Sequence, residues 1–269
     1  MTFDIIVKNA EIYDGSGNGS YISDIGIKDD KILKIANLKD VDAKEIIDAE
    51  GFVVMPGFID VHTHSDIALI NEPQREQVLL QGITTEITSA CGIGCVPLSN
   101  LQSQYIETVR ALTGTPARPF DSSSLSAYFN ELNKDKTGTN VAVQLAHSAL
   151  RAEVSGFGDA AFDERMLSVA DETFSQGACG FSTGLAYYPA SYSDTQEIIK
   201  IGKVAQKYDI DAVHFDTADI AGGKDVNPFY KSFCRIFQAV FKIGVAVMPW
   251  GMPETLEGPG SIKQLPEFI

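Results

Sequence analysis

Residues 55–66 of the chain have the sequence Met55-Pro56-Gly57-Phe58-Ile59-Asp60-Val61-His62-Thr63-His64-Ser65-Asp66. The apolar residues before the histidines predict a β-strand, and side chains two apart on a strand project to the same side. His62 and His64 can therefore present two imidazoles to one ion, and neutral imidazole is a good ligand for zinc. A His-x-His pair alone is a short motif that also occurs without a metal. A position at the carboxyl end of a parallel strand favours the metal site, because binding sites on such sheets form there.

The residues upstream of this stretch predict short strands. Residues 3–12 alternate in the manner of a β-strand, and residues 25–35 predict a hairpin that turns at Asp29-Asp30. Residues 45–51 lead into another strand. We expect a small antiparallel unit over residues 1–55.

Downstream, predicted strands alternate with predicted helices. The apolar segments that predict strands are residues 51–61, 82–88, 140–147, 177–181, 210–215 and 243–248. The segments that predict helices are residues 72–80, those after a capping box at 193–196, and those after Asn227-Pro228. This alternation is typical of an α/β domain with a parallel sheet, here over residues 56–269. A closed barrel needs eight strand–helix units, so about six strands indicate an open sheet or a barrel cut short.

Composition and charge exclude several classes of protein. With 269 residues, of which 44% are hydrophobic and 21% charged, the chain can bury a core and is not a disordered one. A net charge of −15 argues against nucleic acid or an anionic membrane surface as a partner. The N-terminus lacks the features of a signal peptide, and the apolar runs are too short to span a membrane. We therefore expect a cytoplasmic protein whose four cysteines are thiols or ligands.

Several motifs resemble one family. Residues 56–64 resemble the first barrel strand of the amidohydrolase superfamily, and residues 6–15 resemble its N-terminal β-sandwich. Three further segments resemble the D-aminoacylase branch, the N-acyl-D-amino-acid deacylases: residues 82–92, 147–151 and 180–189. The resemblance extends to about residue 215. It implies an N-terminal β-sandwich portion at 1–55, followed by an incomplete TIM-like (β/α) barrel at 56–269.

The resemblance also implies a chemistry. It implies zinc-dependent hydrolysis of the linear amide bond of an N-acyl-D-amino acid, which is a small-molecule substrate. Zinc is then held by Cys91 and His214, with His62 and His64 contributing a second or shared site. Tyr187 offers its hydroxyl to the substrate carboxylate or only packs at a strand–loop junction, and both alternatives stay open.

The sequence departs from the family pattern at several positions. Ala90 stands where the family has an asparagine, and Asp216 where it has an arginine. Residues 245–251 contain no histidine, although the sixth strand of the family ends in a histidine ligand. The aspartate that serves the family as general base would lie beyond the end of this sequence. The nearby candidates Asp60, Asp66 and Asp216 do not match it, and the catalytic residue is therefore not assigned.

Two further candidates have a structural interpretation. His147 ends the third predicted strand and is expected to line a pocket or make hydrogen bonds, not to bind a metal. Cys95 is expected in the core, where free cysteines usually lie.

Three hypotheses remain for the function. The first is a metal-dependent deacylase. The second is a truncated or degenerate relative without turnover, which would self-associate through uncovered sheet edges. The third is an acidic binding module, which requires the motif matches to be accidental. Replacement of His62 and Cys91 by alanine changes the metal content only if the metal site exists.

Overall fold

The computed structural model describes residues 2–210 and 213–215. The chain divides into two compact units, Met1–Phe58 and a second unit that begins at Ile59. The predicted helix after Asn227 and the predicted strand at 243–248 lie outside the described residues. Within the described ranges, no helix combines the length and the apolar character needed to cross a membrane.

The first unit is a five-stranded sheet in the order β3-β2-β1-β4, with β5 also paired to β1. Its strands are β1 Phe3–Ile12, β2 Tyr21–Lys28, β3 Lys31–Ala36, β4 Ala43–Asp48 and β5 Val53–Val54. The predicted hairpin is present, because β2 and β3 are antiparallel around Asp29 and Asp30. Both of these residues have positive φ, at 48° and 65°, as the tight turn of a two-residue hairpin requires.

The expectation of an all-antiparallel unit is wrong, because β4 and β5 pair with β1 in parallel. The connection between β3 and β4 causes this change of direction. Leu38 in that connection packs against Phe3 and Ile6, and its backbone N–H donates to the Asp24 carboxylate at 2.7 Å. The chain is thereby carried back to the start of β1, where Ala43 pairs with Phe3.

The second unit contains the predicted parallel sheet, in the order β10-β9-β8-β7-β6. Its strands are β6 Phe58–Asp60, β7 Ile83–Thr88, β8 Asn140–Ala146, β9 Gly180–Thr183 and β10 Val213–Phe215. The pairs β7–β8, β8–β9 and β9–β10 are parallel. This curled sheet is the partial TIM-like barrel that the sequence predicts, and it directs the carboxyl ends of its strands to one edge.

Helices follow the strands of this sheet. They are α1 Asp66–Asn71, α2 Glu76–Leu79, α3 Gln102–Thr113, α4 Leu125–Asp135, α5 His147–Ser155, α6 Arg165–Ser175 and α7 Thr195–Ala205. The predicted apolar stripe of α7 is confirmed, since Ile198 and Ile201 are buried in the main core. The cap of α7 is one residue later than the predicted box: the Asp194 carboxylate accepts from the backbone N–H of Glu197 at 2.9 Å.

Two segments differ from the prediction because of proline. The predicted strand at 51–61 is split into β5 and β6, since Pro56 cannot donate to a ladder of hydrogen bonds. The predicted helix at 72–80 is reduced to α2, because Pro73 disfavours a helical conformation in Glu72 and Arg75 is left-handed, with φ 51°. The residues of α1, α3, α4, α5 and α6 were not predicted as helices.

Candidate metal centre

Four of the predicted site residues meet at the carboxyl edge of the sheet in the second unit. His62 and His64 follow β6, Cys91 follows β7, and His214 lies in β10. Cys91 is buried, and the three histidines are half-buried. Strands that are far apart along the chain therefore present their side chains to one place.

The distances between the donor atoms suit a single small ion. The ligand atoms of His62, His64 and Cys91 all lie within 4.8 Å of one another. Cys91 Sγ lies 3.3 Å from His62 Nε2 and 3.7 Å from His214 Nε2. Neighbouring ligands in a tetrahedral zinc shell are about 3.4 to 3.8 Å apart, as the usual Zn–N and Zn–S bond lengths imply. The described residues offer no hydrogen-bond partner to the buried Nδ1 of His64. Both observations fit a metal ion.

The histidine pair lies just after the strand, not on it as predicted. The Asp60 carboxylate accepts from the backbone N–H of His62 at 3.1 Å and ends β6 there. The intervening Thr63 stays paired with the neighbouring strand, because its N–H donates to the carbonyl of Ile87 at 3.2 Å. Its own carbonyl accepts from the N–H of Ala90 at 3.2 Å. The backbone between the two imidazoles is thereby fixed against β7.

Cys91 is presented by an unusual turn. Residues 90–92 form one turn of 3-10 type, but Cys91 has φ 56° and Gly92 has φ 72°. Only glycine adopts this left-handed region without cost. A Cβ on Gly92 would lie 3.0 Å from Thr183 Cα and 3.1 Å from Gly184 N, so the turn packs directly on the backbone that follows β9.

The replacement Gly92→Ala is expected to lower the free energy of unfolding by about 1–3 kcal/mol more than Gly51→Ala does. Both glycines have a positive φ, of 72° and 79°, so an added side chain strains the backbone at both positions. A Cβ on Gly51 would meet nothing within 4 Å, whereas one on Gly92 would meet backbone atoms. Urea unfolding of the two variants measures the difference, and equal losses would contradict the close packing.

His147 is not part of the donor cluster, which consists of His62, His64, Cys91 and His214. It is the first residue of α5, one position beyond the strand that was expected to end with it. Its Nδ1 lies 2.7 Å from Thr183 Oγ1, and its Nε2 lies 2.7 Å from Glu197 Oε1. Both ring nitrogens are therefore engaged by protein groups, in agreement with the expectation that His147 makes hydrogen bonds.

Sequence reasoning missed the buried ion pair behind His147. The second carboxylate oxygen of Glu197 accepts from Arg151, which also donates to the carbonyl of Ala160 at 2.7 Å. Burial raises the pKa of Glu197, but the hydrogen bonds and charges of His147 and Arg151 outweigh it, so this pKa lies below its usual value. Arg151 lies in a motif that the sequence singles out, whereas Glu197 gives no signal beyond its place in the first turn of α7.

The two described aspartates near the centre have different environments. Asp60 is half-buried and bonded to the backbone of His62. Asp66 is fully buried, and both of its oxygens accept from Ser89. Burial raises the pKa of Asp66, although the Ser89 hydrogen bond and the His64 charge oppose that rise. Asp216 lies outside the described residues.

Tyr187 lies against the turn that presents Cys91. A Cβ on Gly184 would lie 2.6 Å from the carbonyl oxygen of Cys91 and 2.7 Å from Tyr187 Cδ2. Gly184 therefore lies between the ring and the turn, and the half-buried ring packs against the hydrophobic cluster that includes Ile93.

Comparison with known proteins agrees with this architecture. The sequence model of the amidohydrolase family matches residues 45–187. A D-aminoacylase of Alcaligenes xylosoxydans xylosoxydans is 33% identical over 212 residues, which cover 74% of this chain and 41% of that protein. An N-acyl-D-aspartate deacylase of the same organism is 35% identical over 202 residues, which cover 74% and 40%. The chain thus spans less than half the length of these curated relatives.

A solved structure is similar over nearly the whole chain. It is that of an N-acyl-D-glutamate deacylase from Bordetella bronchiseptica, complexed with zinc and a phosphonate inhibitor. The TM-score is 0.82 and the identity 27%, and the similarity covers 99% of this chain and 56% of the other. Since the family model matches more than half of its residues, the chain belongs to the amidohydrolase family.

Proposed function

We propose that this chain carries the zinc-binding part of a hydrolase that cleaves the amide bond of N-acyl-D-amino acids. The observation that carries the proposal is the convergence of imidazole and thiol donors, from His62, His64, Cys91 and His214, at one edge of the parallel sheet. An edge of this kind is where barrel enzymes build their active sites. The names of two relatives, a D-aminoacylase and an N-acyl-D-aspartate deacylase, support this substrate class.

The donor set fits zinc in chemical terms. Zinc in proteins takes imidazole nitrogen and thiolate sulfur as ligands, and its sites often combine the two. The similar deacylase structure contains zinc, which supports the same metal here. When bound by these residues, zinc lowers the pKa of water and polarises the acyl carbonyl.

The chain's own residues hold and orient the components. Asp60 and Thr63 fix the backbone that bears the two imidazoles, so this backbone does not have to be ordered when a metal binds. Tyr187 lies after β9, next to the turn that carries Cys91, and we propose that its hydroxyl donates to the substrate carboxylate. His147 takes no direct part, because both of its nitrogens are bonded to Thr183 and Glu197.

Three further expectations remain predictions alongside this function. They are a cytoplasmic location, the absence of nucleic acid or a membrane as a partner, and self-association through strand edges. The hypothesis of a relative without turnover predicts weak metal binding, self-association and no hydrolysis, so a metal analysis and an activity assay separate it from the proposed function.

Elemental analysis of monodisperse protein, purified without added metal or chelator, tests the metal site. We expect about one or two zinc ions per chain. The same protein is then assayed for release of amine from N-acetyl-D-glutamate, N-acetyl-D-aspartate and an N-acetylated apolar D-amino acid, with the L-enantiomers as controls. Absence of stoichiometric zinc would contradict the proposed site. Zinc without hydrolysis of any D-substrate would favour the relative without turnover.

A further inference from the structure

The turn that presents Cys91 is left-handed at most of its residues. Ser89 has φ 62°, Cys91 has φ 56° and Gly92 has φ 72°. For the serine and the cysteine this conformation is unfavourable, because the side chain crowds the following carbonyl. Such residues keep a left-handed conformation only when the surrounding structure holds them in it. The contacts of this turn therefore decide where the thiol points.

Ser182 in β9 supplies the first of these contacts. Its hydroxyl accepts from the backbone N–H of Gly92 at 3.1 Å and donates to the backbone carbonyl of Ser89. One buried hydroxyl thus bridges the two ends of the turn. Because Ser182 is fully buried, its loss would leave two backbone groups without this partner and without water.

Asp66 at the start of α1 supplies the second contact. Its Oδ2 accepts from the backbone N–H of Ser89 at 3.1 Å, and its Oδ1 accepts from the Ser89 hydroxyl. Asp66 is only two residues beyond His64, so the same short segment holds one imidazole and one end of the turn. Ala90 stands where the family has an asparagine, and the bonds of Ser89 to Asp66 support the turn at the neighbouring position.

We propose that Ser182 is a positioning residue for the Cys91 thiolate, with Asp66 holding the same turn through Ser89. Neither side chain belongs to the cluster of donor atoms, and each acts through the backbone that carries the ligand. This inference rests on the proposed function, since it concerns the geometry of the same metal centre. Groups that orient a ligand in this way typically contribute about 10- to 100-fold to metal affinity.

The test compares Ser182→Ala with Ser122→Ala in the full chain. Ser122 is also a buried serine, whose hydroxyl accepts from Gln102 at 2.5 Å and donates to the carbonyl of Leu98 at 3.3 Å. It is outside the donor cluster, so Ser122→Ala is a matched control for the loss of a bridging hydroxyl. Three quantities are measured: the dissociation constant for zinc by chelator competition, the thiolate-to-cobalt charge-transfer absorption of the Co²⁺ form, and urea unfolding.

We expect Ser182→Ala to weaken zinc binding by about 10- to 100-fold and to shift or weaken the charge-transfer band. We expect Ser122→Ala to leave both unchanged, even where the two variants lose similar stability to urea. Equal zinc affinities and equal cobalt spectra for the two variants would overturn the inference while leaving the proposed function intact. A wild-type chain that binds no zinc would overturn the proposed function and the inference with it.

A second variant covers the case in which Ser182→Ala does not fold. Ser89→Ala removes only the hydroxyl that bonds to Asp66, and leaves the backbone bonds of the turn in place. We expect it to weaken zinc binding in the same direction, by about tenfold. Unchanged affinity in this variant would overturn the inference.

Discussion

The replacement Cys91→Ala is expected to abolish zinc binding at the centre. Cys91 Sγ lies within 4 Å of a ring nitrogen of both His62 and His214, so the variant loses the donor that both histidines share. The thiolate is also the anionic member of a donor set whose other members are neutral imidazoles. We expect the dissociation constant for zinc to rise by more than about 100-fold, which exceeds the usual effect of groups that only orient ligands. Competition with a chromophoric chelator measures it.

Cys95→Ala is the matched control for this replacement. Cys95 is a second buried cysteine only four residues away, and it is not in the donor cluster. Burial raises the pKa of its thiol well above the ordinary value, and the Asp66 charge adds to that rise. It is therefore an inert thiol, and we expect the variant to keep its zinc. Stoichiometric zinc in Cys91→Ala, or its loss in Cys95→Ala alone, would contradict the assignment.

The replacement Glu197→Gln is expected to lower the free energy of unfolding by about 3–5 kcal/mol. Glu197 is almost completely buried and bonds to both His147 and Arg151. Glutamine keeps the size of the side chain but leaves the Arg151 charge buried without its anion. Denaturation by urea measures the loss.

An exposed ion pair provides the control. Glu107 pairs with Arg110 at 3.1 Å on α3, and both side chains are more than half exposed. Surface pairs of this kind contribute about 0–1 kcal/mol, so Glu107→Gln is expected to change little. A loss in Glu197→Gln no larger than in the control would show that the buried network does not stabilise the fold.

The carboxylate of Glu197 is also expected to make the stability of the fold depend on pH. The native pKa of Glu197 lies below its ordinary value of 4.5, because His147 and Arg151 outweigh the effect of burial. The unfolded chain therefore binds the proton more readily than the folded chain does. The contribution of Glu197 to the free energy of unfolding is complete above pH 4.5 and declines as pH falls through the native pKa. We expect the difference in stability between wild type and Glu197→Gln to be smaller at about pH 3 than at about pH 7. An equal difference at both values would contradict this origin.

The donor cluster could be found from the sequence because each member lies next to a strand that is itself easy to recognise. His62 and Cys91 each follow an apolar β-segment, and the parallel arrangement brings such positions together whatever the length of chain between them. The environment of His147 could not be found in the same way. Its partner Glu197 lies 50 residues away on α7. The apolar residues of that helix already account for its buried face, so the sequence gives no reason to expect a buried carboxylate there.

The N-terminal sheet shows a second limit of sequence patterns. The hairpin at Asp29-Asp30 is a local event, and its turn residues are visible in the sequence. The parallel pairing of β4 with β1 depends on the course of a connection anchored by Leu38. One leucine in a polar segment does not indicate whether the next strand runs parallel or antiparallel to its neighbour. Local turns could therefore be predicted here, whereas the path of the longer connection could not.

The bridge from Ser182 to the Cys91 turn has a consequence for the order of events during synthesis. The hydroxyl and the Ser89 carbonyl that it binds are 93 residues apart. At about 5 to 20 residues per second, a ribosome needs roughly 5 to 20 s to make the intervening chain. For that time the nascent protein carries the imidazoles of His62 and His64 and the thiol of Cys91 without the residue that fixes the turn. We therefore expect the thiol to be open to oxidation, and the centre to be unable to take up its metal tightly, until β9 has left the ribosome and joined the sheet.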